Sequence, residues 1–88
     1  MRPADFRRRA CPVQALPMLE LGDLDAAELW LSAHGVRKGR LGDVLIVYGE
    51  GIRMPLRLGQ WLVHDPASGA FEVWDHGRFL AEHERGAA

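Results

Sequence analysis

Between Asp43 and Trp74 the chain is cut by glycine-bearing turns into apolar runs of about half a dozen residues, too short for helices and well suited to strands joined by reversals. Gly49-Glu50-Gly51 supplies the positive φ values of a tight turn after the β-branched run Asp43 to Tyr48. Ile52, Met54 and Leu56 then alternate with Arg53, Pro55 and Arg57, which puts apolar side chains on one face and cations on the other. Pro55 lacks the ladder donor and marks an edge or a bulge. Leu58-Gly59-Gln60 turns the chain into a strand over Trp61 to His64, and Asp65 to Gly69 forms a loop before a returning strand over Ala70 to Trp74. The stretch Ile52 to Glu84 also holds Trp61, Trp74, Phe71 and Phe79, most of the large aromatics of the chain.

Upstream, prolines 3, 12 and 17 restrict the N-terminal piece to a short strand near Val13 to Leu16. Asp25 as N-cap and Glu28 three residues on predict a helix from about Ala26 to His34, with Ala27, Trp30, Leu31 and His34 on one side. Gly35 falls where a left-handed C-terminal cap belongs. Val36 to Gly42 is expected as a basic loop. Asp75 is expected to cap a last helix from about His76 to Glu84, with Phe79 and Leu80 on its apolar face and His83 one turn after Phe79. The order β-α-β-β-β-β-α predicts a small two-layer α+β domain with a mainly antiparallel sheet and two short helices.

A chain of 88 residues forms one domain and buries roughly 60 to 65% of its unfolded surface. Its ends, before Phe6 and beyond Arg85, are expected to fray. The formal net charge of -1 argues against a strongly basic nucleic-acid binder. The single cysteine, Cys11, forms no intrachain disulfide and fits a reducing compartment. The longest apolar run, Val44 to Tyr48, is too short to span a bilayer, so a cytoplasmic protein without membrane association is expected.

The chain resembles a family of small phage and prophage proteins. Their pattern opens with a basic stretch leading to Pro-Val, passes an acidic-capped helix, and closes with EG, GDW-[IL]-[IV], GEFY and F-x-x-x-Y-E. The corresponding residues here are Arg8, Arg9, Pro12, Val13 and Ala15, then Glu50-Gly51, Gly59-Gln60-Trp61-Leu62-Val63, Gly69-Ala70-Phe71-Glu72, and Phe79 with Glu84. Gln60 stands where the family has an acidic residue, Ala70 where it has glutamate, and His83 where it has tyrosine. The resemblance implies a genomic setting and carries no activity with it.

No motif prescribes a chemistry. His64, His76 and His83 lack the spacing of a ligand signature, so neither metal nor cofactor is expected. Ser68, His64 and Asp65 crowd one loop, where a nucleophile and an independently oriented base rarely converge, and an enzyme is not expected. Gly49-Glu50-Gly51 lies between strands, whereas a dinucleotide turn needs a strand followed by a helix. Two surfaces remain. Arg53 and Arg57 beside Trp61 or Trp74 compose a protein-binding patch, since tryptophan and arginine dominate such sites. Arg7, Arg8 and Arg9 together with Arg37, Lys38 and Arg40 compose the alternative, a phosphate-binding surface for nucleic acid. The expectation is a non-enzymatic protein-binding module, monomeric or a weak homodimer, with a host protein as partner.

Overall fold

A computed structural model describes residues 2–8, 11–49 and 51–86. The domain is α+β, with two helices and antiparallel strand pairing throughout the described residues. In chain order the elements are β1 (Ala4–Arg8), β2 (Cys11–Pro17), α1 (Leu21–Ala33), β3 (Lys38–Leu41), β4 (Val44–Gly49), β5 (Ile52–Leu56), β6 (Gln60–Asp65), β7 (Ala70–Asp75), α2 (His76–Glu82) and β8 (Glu84–Arg85). They form two sheets in place of the single one expected: a five-stranded sheet ordered β7-β6-β2-β1-β8 and a three-stranded sheet ordered β3-β4-β5.

The cross-strand register sorts the large sheet into two faces. Leu16, Leu62 and Phe71 point to one side and pack with Leu24, Ala27 and Leu31 of α1 and with Leu45, Val47 and Leu56 of the small sheet. Phe6, Val13, Ala15, Trp61 and Val63 point to the other side, where Phe79 of α2 covers them. Trp61 through His64 are therefore all buried although their side chains alternate. The second core is aromatic: Phe79 stacks on Trp61 with ring centroids 4.0 Å apart, and Phe6 meets Phe79 edge-on at 4.9 Å.

Helix α1 begins five residues earlier than expected. The buried Asp23 carboxylate accepts hydrogen bonds from the amides of Leu19 (2.8 Å) and Glu20 (3.0 Å), so Glu20 is the N-cap. Asp25 lies within the helix, and both Asp25 and Glu28 bind Arg40 instead of capping. At the other end Gly35 has φ 70°; the amides of Gly35 and Val36 donate to the carbonyls of Ser32 and Leu31, which closes the helix with a Schellman turn.

Three strands lie outside the expected order. Residues Lys38–Leu41, expected as loop, pair with β4, and the charge of Arg40 is neutralised on α1. Ala4 and Asp5, expected loose, pair with Ala15 and Gln14 in β1. Helix α2 ends at Glu82, before the expected Glu84, because Glu84 and Arg85 pair with β1 and the Gly86 amide donates to the Asp5 carbonyl at 3.0 Å. Asp75 is the N-cap residue of α2 by position, but its carboxylate accepts from the Gln60 amide at 3.0 Å and not from the helix.

Phe79 is fully buried while the adjacent Leu80 is 54% exposed, although both were expected on one apolar face. Phe79→Ala is expected to lower unfolding free energy by about 3–5 kcal/mol in urea titration, and Leu80→Ala to change it by no more than about 0.5 kcal/mol. Equal losses at both positions would contradict this seating of α2.

Candidate protein-binding surface

Strands β5 and β7 each end a sheet, so each has one side of its backbone without a strand partner among the described residues. They meet at a common corner. The turn after Leu56 is closed by the Gln60 amide donating to the Arg57 carbonyl at 3.2 Å, and Gln60 sits opposite Asp75, the last residue of β7. The Gln60 side chain fastens that corner: its Oε1 accepts from the Arg57 amide at 2.8 Å and its Nε2 donates to Asp75 at 3.0 Å.

The space between the two strands is a groove made of two adjoining hollows, each of about 470 Å³, which share Ile52, Met54 and Phe71. Alternation turns Ile52 and Met54 of β5 and Phe71 and Val73 of β7 toward the inner side, so the hollow toward Tyr48 is mainly apolar, while the one toward Asp75 and Arg78 is equally polar and apolar. Ile52, at the open end, is 57% exposed, more than a side chain of that size needs to be in a closed core. Tyr48 and Gly49 border one end and Arg78 the other.

Trp74 and Trp61 have different surroundings. Trp61 is 8% exposed, stacked on Phe79, and its indole N–H donates to His76 Nδ1 at 2.9 Å, so it belongs to the core and not to a contact surface. Trp74 is half-buried beside the groove, with the guanidinium of Arg78 4.9 Å and that of Arg8 5.2 Å from its ring centroid. Glu72 Oε1 accepts from Arg8 at 2.7 Å and from the Trp74 indole at 3.0 Å. Burial raises the Glu72 pKa, but those two bonds and the Arg8 charge outweigh it and hold the carboxyl below its ordinary range.

Arg53 projects from the other side of β5, opposite Tyr48 in the register, and Arg37 lies 5.4 Å from the centroid of the same Tyr48 ring. One arginine from each expected surface thus flanks a tyrosine that belonged to neither. Arg57 is exposed in the corner turn. The remaining cations of the expected phosphate surface do not converge: Arg7 pairs with Glu84 at 3.3 Å, Arg8 with Glu72, and Arg40 with Asp25 and Glu28 at 3.0 and 2.9 Å. Lys38 is half-buried on β3, and Arg9 lies outside the described residues.

The Ser68, His64 and Asp65 grouping is not assembled for catalysis. Ser68 Oγ accepts from the Ala70 amide and Asp65 from the Ala67 amide, so both shape the turn. His64 points into the first core, its ring 4.6 Å from that of Phe71 and 4.4 Å from that of His34. Among the described residues no group of three or more histidine, cysteine or acidic side chains is arranged to hold a metal, and no helix is long and apolar enough to cross a membrane. No protein-family model, curated protein or solved structure matches the chain.

The residues missed by sequence reasoning are Tyr48, Met54, Phe71 and Arg78. The reversal at Gly49 to Gly51 already implied a register pairing Tyr48 with Arg53, and that was the available signal. The meeting of β5 with β7 had none, because it depends on the packing of two sheets.

His64 and His83 are both buried, and His64 Nδ1 and His83 Nε2 have no hydrogen-bond partner among the described residues. Desolvation lowers both pKa values from the ordinary 6.5, helped at His64 by His34 and opposed at His83 by the bond from Nδ1 to the Phe79 carbonyl. The unfolded chain therefore takes up protons first as pH falls through 6.5; the stability present above that pH is lost progressively below it, down to the folded-state values. The urea midpoint is expected to fall between about pH 7.5 and about pH 5.5, and to fall less in His83→Phe, which keeps the stacked ring without the titration. A midpoint independent of pH across that window would refute the assignment.

Proposed function

We propose that this chain is a non-enzymatic protein-binding module, an accessory protein of phage or prophage type that acts in the cytoplasm on a host protein. The observation that carries the reading is the apolar groove between β5 and β7, with Ile52 held out at its open end. An exposed aliphatic side chain over an apolar cleft, with a tryptophan and arginines at the margins, has the composition of a contact surface. Binding by occupation of a surface needs no cofactor. The monomer is the form in which the groove is open.

A phosphate-binding role draws on one observation, the tyrosine flanked by Arg37 and Arg53, since an aromatic between cations can stack a base. The pairing of Arg7, Arg8 and Arg40 with carboxylates favours the protein partner. The two readings separate by salt, because phosphate contacts release counterions and an aromatic-centred interface does not.

Affinity purification from host lysate, with and without nuclease, is expected to recover one protein in both arms. Ile52→Asp is expected to reduce that recovery at least roughly tenfold while leaving the fold intact, since the site is exposed, whereas Arg40→Ala leaves recovery unchanged. Loss of the partner on nuclease treatment, or a gel shift of nucleic acid at physiological salt, would replace this reading with the second.

A further inference from the structure

We propose that the outer face of the small sheet is a second contact surface, and that it takes an acidic surface of the protein partner whose carboxylates pair with Arg37, Arg53 and Arg57 around Tyr48. This rests on the protein-binding reading and names the chemistry of what is bound.

Strands β3, β4 and β5 turn one side inward. Leu45 and Val47 of β4 and Leu56 of β5 are buried in the first core, and α1 lies against β4 on that side. Register and alternation put Gly39 of β3, Ile46 and Tyr48 of β4, and Arg53 and Pro55 of β5 on the other side. None of these belongs to either core. The Tyr48 amide donates to the Arg37 carbonyl at 3.0 Å, which extends the register by one residue and makes Arg37, Tyr48 and Arg53 a row across the sheet. The Tyr48 ring leans over Gly39, where an added Cβ would stand 3.7 Å from the ring's Cε2 and from its hydroxyl oxygen. The ring thus lies against the sheet, with the Arg37 guanidinium 5.4 Å from its centroid.

Charge selects the occupant. Arg37, Arg53 and Arg57 are exposed, and among the described residues none of them pairs with a carboxylate, whereas Arg7, Arg8, Arg40 and Arg78 are each engaged. Arg57, one residue past β5, continues the alternation of Arg53 and Pro55. No described residue of this face is acidic; the exposed Asp43 sits in the turn joining β3 to β4, at the end away from Tyr48. A chain of net charge -1 therefore concentrates three unpaired cations on one side. The guanidinium fork matches a carboxylate through two parallel bonds, and arginine and tyrosine are the residues that contact surfaces favour. Three cations neutralise about three phosphates, a weak hold on a nucleic-acid strand at physiological salt, where binders use roughly six to ten. A second copy of the chain would bring the same cations face to face. The face measures about 10 by 13 Å, far less than the roughly 800 Å² per partner of a stable interface. It therefore adds to a contact that includes Ile52 and Met54 on the other side of β5.

The test titrates blocked hexaglutamate into the full chain at about 50 mM salt while backbone amide resonances are followed, with hexalysine and an oligothymidylate of matching charge as the other probes. Hexaglutamate is expected to shift Arg37, Tyr48 and Arg53, hexalysine to leave them in place, and the oligothymidylate to bind no more tightly than hexaglutamate. Arg37→Glu combined with Arg53→Glu is expected to weaken hexaglutamate at least roughly tenfold and to confer binding of hexalysine, with the urea midpoint unchanged. Arg37→Gln with Arg53→Gln, which removes the charges without reversing them, is expected to lose the same binding. Ile52→Ser is expected to leave the peptide response unchanged. No shift with hexaglutamate up to about 5 mM, shifts centred away from β4 and β5, or unchanged affinity in both double variants overturns the acidic-surface proposal. If the host protein is still recovered from lysate and lost in Ile52→Asp, the protein-binding reading survives that result. Tighter binding of the oligothymidylate than of hexaglutamate on the same residues overturns both.

Discussion

Strand β6 is apolar on both faces, and the architecture follows from covering them. A strand with one buried face asks for a single layer above it; Trp61 and Val63 on one side and Leu62 and His64 on the other ask for two. Helix α1 and the small sheet meet the second pair, and α2 meets the first through one ring, Phe79. In a domain of this size two thin cores share the sheet between them, so each depends on a few large side chains. The second core consists largely of rings, which compensate in area for what they lack in number.

The groove is a by-product of that division. The small sheet covers the first core from above, with Leu45, Val47 and Leu56 packed against Leu16, Leu62 and Phe71 of the large sheet. Backbone edges are left facing each other across an apolar cleft, at a place where Arg78 and Trp74 approach from the α2 side and Tyr48 from the other. The Arg8–Glu72–Trp74 network sits at the border and is fully engaged within the molecule, so it shapes the wall.

Much of the fold was legible in the residues. The glycine turns at 35, 51, 59 and 69 all have positive φ, and the strands that they bound lie close to where alternation placed them. Helix α1 was legible as a helix but not in its start, because Asp23 and Asp25 offer equivalent capping chemistry and burial decides between them. Strand β3 was hidden by its charges: Arg40 reads as a loop residue until Asp25 and Glu28 are seen beside it. Strand β8 depends on β1 for its pairing, and two residues such as Glu84 and Arg85 have no periodicity to detect. The candidate site was legible only in part. Alternation put Arg53 outward, but it left open whether Trp61 or Trp74 is exposed, because it does not reveal that α2 closes over Trp61 and leaves Trp74 half open.

Gln60 joins Arg57 to Asp75 through the two ends of one amide, a contact that an acidic residue at this position would turn into repulsion on the Asp75 side. From Leu56 to Ile52 is about 13 Å of extended chain, so a rotation of about 10° at the corner displaces Ile52 by roughly 2 Å. The width of the groove is therefore set at the corner, where residue 60, itself part of the groove wall, ties the two strands together.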